Sequence, residues 1–530
     1  MEGVAELQTL LPPRTTSRRV QAAIEQAIKA FFGGNALVAV IVLALITIFL
    51  FREGFGFFGQ NLANLRLYRQ AGLEYVDIIR AVSTQHEALT RQLSDIRLHE
   101  VRAMEKRNVP LEEINATLTP FDQFATAFGD TAENLRTLLS DLTEQASALK
   151  EALYGRAELL AQRTQLERSG ALADAEKIVV PEVDRATALA SLHQGADTFE
   201  SVSAEMTAKL YALLAEAPPL ADSAEQKMFD QWKNRTREYL AGLPKASEKL
   251  RSWSPETPIP WYRSISSFLF GRNWITASFW QDWYGIVPLL VGSILVSLVA
   301  LFFAVPLGVA SAIYVSEIAS VQEKRLIKPY LEFISAIPSV VLGFFGIAVV
   351  GQAIRAASQS SWFQWISFFP LSERLNIFTA GCLLALMAIP TIFTLAEDAL
   401  RNVPRGFKEA SYALGANRLQ TIARVLVPAS LSGIVSAILL GLGRVIGETM
   451  VVLLCAGNRI ALPDFTQGLG AILQPVHTMT GIIAQEMGEV VRGSTHYRAL
   501  FMVGLVLFTI TLGINYLAQK LVTRYRMSIG

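Results

Sequence analysis

Two charged residues, Arg444 and Glu448, interrupt an apolar stretch that is long enough to cross a membrane. An Arg or Asp at the centre of a membrane helix costs about 2.5–3.5 kcal/mol on insertion scales, so such residues must face protein or water. Their spacing of four predicts that both side chains lie on one face of a continuous helix. Three glycines beside them, Gly441, Gly443 and Gly447, allow neighbouring helices to approach closely.

The chemistry of this pair leaves two interpretations open. In the first, Arg444 and Glu448 form a structural ion pair, although Arg before Glu is the less favourable order on an isolated helix. In the second, Arg444 faces a central pathway and binds an anion, because its guanidinium stays charged and offers a bidentate fork to an oxyanion such as phosphate. The two interpretations are compatible if Glu448 pairs with Arg444 until an anion takes the place of the Glu448 carboxylate.

A second candidate is the segment 336–341, where Pro338 is expected to kink or break a helix. Breaks at membrane depth are tolerated where the backbone lines a cavity. A helix that restarts after Pro338 would direct its N–H groups and the Ser339 hydroxyl at an anion. The alternative is a packing kink without a ligand.

The elements that position these residues are predicted membrane helices. The chain has 530 residues, 52% of them hydrophobic, and a mean hydropathy of +0.35, which favours a membrane protein. A crossing helix needs about 20 apolar residues. Six stretches satisfy this requirement, at 30–51, 285–316, 333–354, 375–396, 430–456 and 499–519.

The distribution of Lys and Arg sets the expected orientation. Four basic clusters flank the spans: Arg14, Arg18, Arg19 and Lys29; Lys324, Arg325 and Lys328; Arg401, Arg405, Lys408, Arg418 and Arg424; and Lys520, Arg524 and Arg526. Six spans place all four clusters inside, together with both termini. The first stretch is longer than a signal-peptide core and lacks a clear cleavage site, so it is predicted to be an uncleaved anchor.

The long polar segment after the first span is predicted to form an extracytoplasmic helical domain. Apolar residues repeat there at helical spacing, as in Leu89, Leu93, Ile96, Leu135, Leu138 and Leu142. Pro110, Pro120, Pro181 and the pair 218–219 are expected to divide it into helices. Aromatic residues between 261 and 283 predict an interfacial segment along the membrane.

The predicted fold class is all-α, a polytopic membrane protein with six transmembrane helices. The expected divisions are a cytoplasmic tail at 1–29, an anchor at 30–52, an extracytoplasmic helical domain and linker at 53–284, and a five-helix core at 285–530. Other classes receive no support from composition. The net charge of +1 provides no basic field for nucleic acid, and Cys382 and Cys455 are expected to be free, buried thiols without a metal site.

The stretch 409–428 resembles the EAA loop of ABC importer permeases. Glu409, Ala410 and Ser411 begin it, Gly415 follows six residues after the Glu, and residues 425–428 read Val-Leu-Val-Pro. Val425 and Val427 depart from the family's frequent Ile and Leu. The resemblance implies that the loop within 401–430 receives an ATPase, with Glu409, Ala410, Ser411, Leu414 and Gly415 as coupling residues. Phe407, Ala410, Ser411 and Leu414 are predicted to share one docking face.

Three further stretches, 337–346, 394–400 and 443–450, resemble permeases of the phosphate-specific (Pst) importers, and 441–457 is closer to the PstC type than to PstA. The resemblance implies inward movement of phosphate delivered by an extracytoplasmic binding protein. It implies a PstA-like second permease and two cytoplasmic ATPases that hold ATP and Mg²⁺. Arg444 and Glu448 match the family motif. With Thr449 and Ser339, they are the expected substrate pathway.

No catalytic residue and no bound cofactor are expected in this chain, because it contains no Gly-Lys dipeptide and hence no P-loop. The expected location is the bacterial inner membrane, where lipid surrounds the spans. Two alternatives remain. One is an importer of sulfate, molybdate or a phosphonate, and the other is a membrane sensor that uses the outside domain. That domain is not part of the common family core, so the resemblance assigns it no role.

Overall fold

The computed structural model describes residues 18–525, except 221–222, 277–280, 361, 363–370 and 372. Nearly all of this described chain is helical, and its sheet consists of two short strands, β1 (Trp274–Ile275) and β2 (Trp283–Tyr284). The all-α prediction is confirmed. The chain divides into two compact units. The membrane unit comprises 1–59, 266–274 and 283–530, and the helical unit comprises 60–265 and 275–282.

The described helices follow one another with short connections. They are α1 (Arg18–Gln70), α2 (Leu73–Lys106), α3 (Leu111–Asp130), α4 (Glu133–Arg168), α5 (Leu172–Ala175), α6 (Arg185–Ala215), α7 (Ser223–Ser252), α8 (Tyr262–Leu269), α9 (Val287–Ile313), α10 (Val321–Ala336), α11 (Ser339–Phe345), α12 (Gly351–Gln359), α13 (Ile377–Arg401), α14 (Arg405–Ala413), α15 (Arg418–Thr421), α16 (Val427–Ile446), α17 (Met450–Cys455), α18 (Met479–Glu486) and α19 (Thr495–Tyr525). Wider π-helical turns follow α9, α11 and α15 at Tyr314–Ile318, Gly346–Val350 and Ile422–Leu426, and a 3₁₀ helix spans Phe465–Leu473.

Six segments of the described chain are long and apolar enough to cross a membrane, which confirms the predicted number. They are Glu25–Gln70, Val287–Ile318, Ser339–Gln359, Ile377–Arg401, Arg418–Ile446 and Thr495–Leu521. The bounds of the spans differ from the predicted ones, and two of these differences bear on the candidate site. The third span begins at Ser339 because α10 is a separate helix, and the fifth ends at Ile446 because the backbone leaves the helix at 447–449.

The membrane unit is built around α9 and α13, which pack together, with α16 against both and α19 against α16. Small residues such as Ala300, Ala304, Ala380 and Ala388 lie fully buried in this core. Small side chains at helix contacts let the backbones approach closely, which increases dispersion contact in a setting without a hydrophobic driving force between helices. Both cysteines are free as predicted; Cys455 is buried, whereas Cys382 is only partly so.

The helical unit is a bundle in which α2, α4, α6 and α7 each pack against two of the others, and α3 lies on α2. The predicted apolar stripes supply its core. Pro120 does not end a helix as expected, since it lies inside α3. The buried aromatic face of α3 holds that helix in place, and the rings of Phe128 and Trp232 lie 4.9 Å apart.

His86 is a fully buried polar residue in this bundle. Its ring stacks on Phe128 with centroids 4.5 Å apart, and its Nε2 donates to the Phe128 carbonyl at 3.0 Å. Burial disfavours the charged imidazolium and lowers the pKa of His86 to about 4. The side chain is therefore neutral at physiological pH.

The aromatic return to the membrane unit is only partly exposed. Trp261 is exposed, but Trp274 and Tyr284 are buried and their rings meet 5.5 Å apart. Both residues therefore pack inside the membrane unit. The predicted interfacial segment at 261–283 stays a prediction, and Trp280 lies outside the described residues. The first compact unit extends to residue 59, because α1 continues as helix beyond its apolar stretch. The predicted divisions at 52/53 and 284/285 stay predictions.

Candidate functional site

Arg444 joins two membrane helices at the candidate site. It lies in the last turn of α16, and its Nη1 donates to Thr391 Oγ1 on α13 at 3.0 Å. The rest of the side chain is exposed to the space beside the two helices. Thr391 is neutral, and no carboxylate of the described chain forms an ion pair with Arg444. The guanidinium therefore has no direct ion-pair partner among the described residues.

The space beside Arg444 is a cavity of about 340 Å³ between α10, α13 and α16. Its other charged lining residues are Lys328, Glu332, Glu397, Asp398 and Arg401. Glu397 is buried, and its Oε1 lies 2.8 Å from Lys328 Nζ and 3.0 Å from an Arg401 guanidinium nitrogen. These two cations share a buried carboxylate, so Arg444 is the cation of the cavity that is best placed to attract an external anion.

Sequence reasoning missed the role of Glu397, which entered only as one letter of a motif. The available signal was a carboxylate at the end of an apolar stretch with Arg401 four residues later, a favourable order for a helical ion pair. The contact with Lys328 had no local signal, because α10 is remote in sequence.

Two glycines of α16 permit the approach that brings Arg444 to Thr391. A Cβ added at Gly441 would lie 2.7 Å from Ile392 Cγ1, and one added at Gly433 would lie 2.4 Å from the Ala399 Cβ. Both distances are shorter than carbon atoms tolerate. The α16–α13 spacing, and with it the Arg444–Thr391 hydrogen bond, therefore depends on glycine.

Glu448 and Thr449 lie in a break between α16 and α17, not on a continuous helix. The Glu448 carbonyl accepts from Thr480 Oγ1 at 2.7 Å, and its carboxylate accepts from the Met450 N–H at 3.2 Å. The predicted shared face with Arg444 is wrong, because α16 ends at Ile446. The described ion pairs do not include Arg444 with Glu448, so the structural-pair interpretation receives no support.

Ser339 begins the third span. Pro338 caps α11, as expected for a helix that breaks and restarts, but the break precedes the span and does not interrupt it. The residues that line the Arg444 cavity include Ser335 and Thr391, and they do not include Ser339, Glu448 or Thr449. Of the four predicted pathway residues, Arg444 alone lines this cavity.

The EAA loop forms two short helices, α14 and α15. Gly415 ends α14 in the left-handed region, with φ of +83°, while the Gly415 and Ala416 N–H groups bond back to Tyr412 and Ser411 carbonyls. This is the Schellman arrangement of a helix C-terminus. Asn417 then caps α15, and its side chain accepts from the Gln420 N–H at 2.8 Å.

The predicted docking residues of this loop separate into two groups. Ser411 is buried, and its hydroxyl lies 2.9 Å from Thr421 Oγ1, so it fastens α14 to α15 and does not face a partner. Glu409 and Ala410 are exposed, and Leu414 is 90% exposed. The expected single face containing Phe407, Ala410, Ser411 and Leu414 is therefore wrong for Ser411.

Glu317 anchors the EAA loop to the end of the α9 segment. Its buried carboxylate contacts Lys408 Nζ, and its carbonyl accepts from the Arg418 guanidinium. Glu317 lies in the π-helical turn Tyr314–Ile318. Sequence reasoning did not identify it, because its partners are 91 and 101 residues away along the chain.

Comparison with known proteins identifies the class. Residues 304–527 match the model of the binding-protein-dependent transport system inner membrane component. A probable ABC transporter permease protein, YqgH of Bacillus subtilis, is 35% identical over 258 residues, which are 48% of this chain and 77% of that protein. The chain belongs to this family of ABC transporter permeases.

Two further relatives are PstC permeases of phosphate transport systems and indicate the branch of the family. The phosphate transport system permease protein PstC of Haemophilus influenzae is 31% identical over 272 residues, 49% of this chain and 84% of that protein. The PstC of Pasteurella multocida is likewise 31% identical over 272 residues, 50% of this chain and 82% of that protein. The chain is a Pst-type permease closer to PstC, as predicted.

Among solved structures, the chain is similar to an inward-facing MetNI methionine ABC transporter. The match has 21% identity and a TM-score of 0.33, and covers 46% of this chain and 94% of that chain.

Proposed function

We propose that this chain is the PstC-like permease of an importer that carries inorganic phosphate into the cytoplasm. The observation that carries the proposal is Arg444, whose only described polar partner is the neutral Thr391 hydroxyl in a cavity between three helices. A guanidinium in that setting offers a bidentate fork to an oxyanion. The names of the PstC relatives support phosphate as that oxyanion.

The proposed complex contains partners that complete this chain. A PstA-like permease supplies the other half of the pathway in a heterodimer, and an extracytoplasmic phosphate-binding protein delivers the anion. Two cytoplasmic ABC ATPases hold ATP and Mg²⁺, and this chain holds no cofactor. The complex resides in the bacterial inner membrane. The four basic clusters support a cytoplasmic position for the EAA loop and for both termini.

The proposed mechanism is alternating access driven through the EAA loop. ATP binding draws the two ATPases together, and they move the loop through contacts with exposed Glu409, Ala410 and Leu414. Glu317 transmits that displacement to the α9 segment, which packs on α13 and so reaches the cavity. Arg444 stabilises the anion midway. Ser339, Glu448 and Thr449 are proposed to face the pathway where the two permeases meet.

The test is phosphate uptake by proteoliposomes that contain the whole complex. Arg444→Ala is expected to lower uptake about 10- to 100-fold, the effect of losing hydrogen bonds to a charged group, while the complex still assembles. Arg444→Lys keeps the charge without the fork and should retain intermediate activity. Arg163→Ala, at an exposed site of the helical unit, is the control. Normal uptake by Arg444→Ala would contradict the proposal.

The same assay separates the other cargoes. Sulfate, molybdate and a phosphonate are added in excess, and none should compete with phosphate. Competition by one of them that exceeds competition by unlabelled phosphate would reassign the cargo while leaving the ABC importer class intact. An assembled complex that takes up none of these anions when ATP is supplied would instead favour a sensor role for the helical unit.

A further inference from the structure

A second cavity lies where the EAA loop meets the membrane helices, and we name it the loop groove. It has a volume of about 520 Å³ and is bounded by Phe407 of α14, by α16 residues such as Pro428 and Leu431, and by Leu521 of α19. Volumes of roughly 300–1,000 Å³ are usual for small-molecule sites. The groove is separate from the Arg444 cavity, with which it shares no lining residue.

The lining of the loop groove combines one charge with an apolar wall. Among the described residues, Arg424 is the only charged residue of the lining, and no described carboxylate contributes to it. Arg424 is exposed, and no ion pair or hydrogen bond joins its side chain to the described part of the chain. The remaining wall includes the exposed side chain of Leu431 and the partly buried side chain of Val435, one helical turn further along α16. A ligand that fits must carry negative charge at one end and hydrocarbon at the other.

The position of the loop groove along the membrane spans indicates how deep its charged end and its apolar end lie in the bilayer. Leu521 lies one helical turn before the described end of α19, and Arg424 lies in the first turns of the fifth span. Both spans therefore end beside the groove, at the level where lipid headgroups meet acyl chains. Arg424 lies on the loop side of Leu431 and Val435 along the fifth span.

We propose that the loop groove binds an anionic glycerophospholipid of the leaflet that faces the EAA loop. The lipid phosphate rests on the Arg424 guanidinium, and an acyl chain lies against Leu431, Val435 and Leu521. A basic residue near a membrane surface attracts anionic lipid, and a lipid supplies the charge and the hydrocarbon in one molecule. A protein partner is less well matched, because the described lining offers one charge and few hydrogen-bonding groups.

The proposed lipid also contacts the coupling machinery. Phe407 lies on α14, the helix that holds Lys408 and so reaches Glu317. An acyl chain in the groove supports the α14 wall from the membrane side. The surrounding anionic lipid content should therefore influence how efficiently ATP hydrolysis drives transport.

Native mass spectrometry of the purified complete complex tests the site, with phosphatidylglycerol and phosphatidylcholine as probes. Arg424→Gln should weaken phosphatidylglycerol retention about fivefold, because one basic residue near a membrane contributes about that factor. Ser432→Trp fills the apolar part of the groove and should displace the acyl chain. Arg405→Gln removes an exposed Arg of the same loop that does not line the groove, and should retain the lipid.

Retention unchanged in both Arg424→Gln and Ser432→Trp would overturn the proposal, as would equal retention of phosphatidylcholine by the unaltered complex. Photocrosslinking from position 432 to the second permease, in place of lipid, would identify a protein interface and also overturn it. These readouts measure binding and do not depend on the cargo. A complex that fails to transport phosphate but retains phosphatidylglycerol through Arg424 would contradict the proposed function alone.

Discussion

Lys408 in the EAA loop contacts the buried carboxylate of Glu317 at the end of the α9 segment. The backbone carbonyl of Glu317 also accepts a hydrogen bond from the Arg418 guanidinium. Both helices of the loop, α14 and α15, are therefore attached to the same π-helical turn. A loop that only touched the membrane surface would transmit little force. Here a displacement of α14 or α15 must either move Glu317 or break two contacts to a buried residue.

Glu317→Gln is expected to uncouple ATP hydrolysis from transport. The variant keeps an acceptor for Lys408 but removes the carboxylate charge. It should therefore lose only part of the about 1.5–3 kcal/mol of a charge-assisted hydrogen bond, all the more because the Lys408 side chain is 36% exposed. The measurement is the ratio of ATP hydrolysed to phosphate transported, which should rise. Lys408→Gln should give the same ratio, and the double variant should add little to either. Additive effects of the two substitutions would show that the contact carries no coupling.

Gly441→Ala is expected to push α16 away from α13. The new Cβ would lie 2.7 Å from Ile392 Cγ1 and 3.0 Å from its Cδ1, and overpacking of this kind typically costs about 1–3 kcal/mol. The Arg444–Thr391 hydrogen bond should weaken and phosphate uptake should fall. Adding Ile392→Ala removes both obstructing atoms and should restore part of the uptake. Gly443→Ala serves as the control, because a Cβ there approaches no atom closer than 3.6 Å.

Gly415→Ala is expected to destabilise the EAA loop through the backbone alone. Gly415 has φ of +83°, and a Cβ there would meet no atom within 4 Å. The left-handed conformation costs a residue with a Cβ about 1–2 kcal/mol, and Asn tolerates it better than Ala. Hydrogen exchange over residues 405–421 should therefore rise most in Gly415→Ala and less in Gly415→Asn. Equal protection from hydrogen exchange in the unaltered chain, Gly415→Ala and Gly415→Asn would contradict this account.

The helical unit should lose stability as pH falls below 6.5. Burial lowers the pKa of His86 from 6.5 to about 4, so the unfolded chain binds a proton that the folded chain resists. The stabilisation from neutral His86 is complete above pH 6.5 and declines toward pH 4, by a total on the order of 3 kcal/mol. Hydrogen exchange of residues 73–106 in the full chain should reveal the decline.

His86→Gln is the matched control for that pH dependence. A Gln amide donates to the Phe128 carbonyl as the imidazole does but does not titrate in this range. The variant should lose the component between pH 6.5 and 4 while keeping its other acid sensitivity. An unchanged profile would assign the decline to carboxylates.

Local composition predicted much of this molecule. Apolar stretches of about 20 residues gave the number of spans, and the motif around Gly415 gave a real helix end, because both depend on residues adjacent in sequence. The pairing of Arg444 with Glu448 was wrong because a spacing of four is informative only while the helix continues, and α16 stops at Ile446. The contacts of Glu317 with Lys408 and of Glu397 with Lys328 required tertiary structure, which no local pattern contains.

Leu414 has a consequence for how the complex is made. It leaves 90% of its surface in solvent at the tip of the EAA loop, and burying a leucine is worth roughly 1.5–3 kcal/mol. If the ATPase covers Leu414 as proposed, a subunit synthesised without its ATPase exposes this apolar side chain to the cytoplasm, where it can associate with other proteins. Stoichiometric production of the subunits then protects the cell from aggregation of orphan copies, so the residue links transport mechanics to the order of biogenesis.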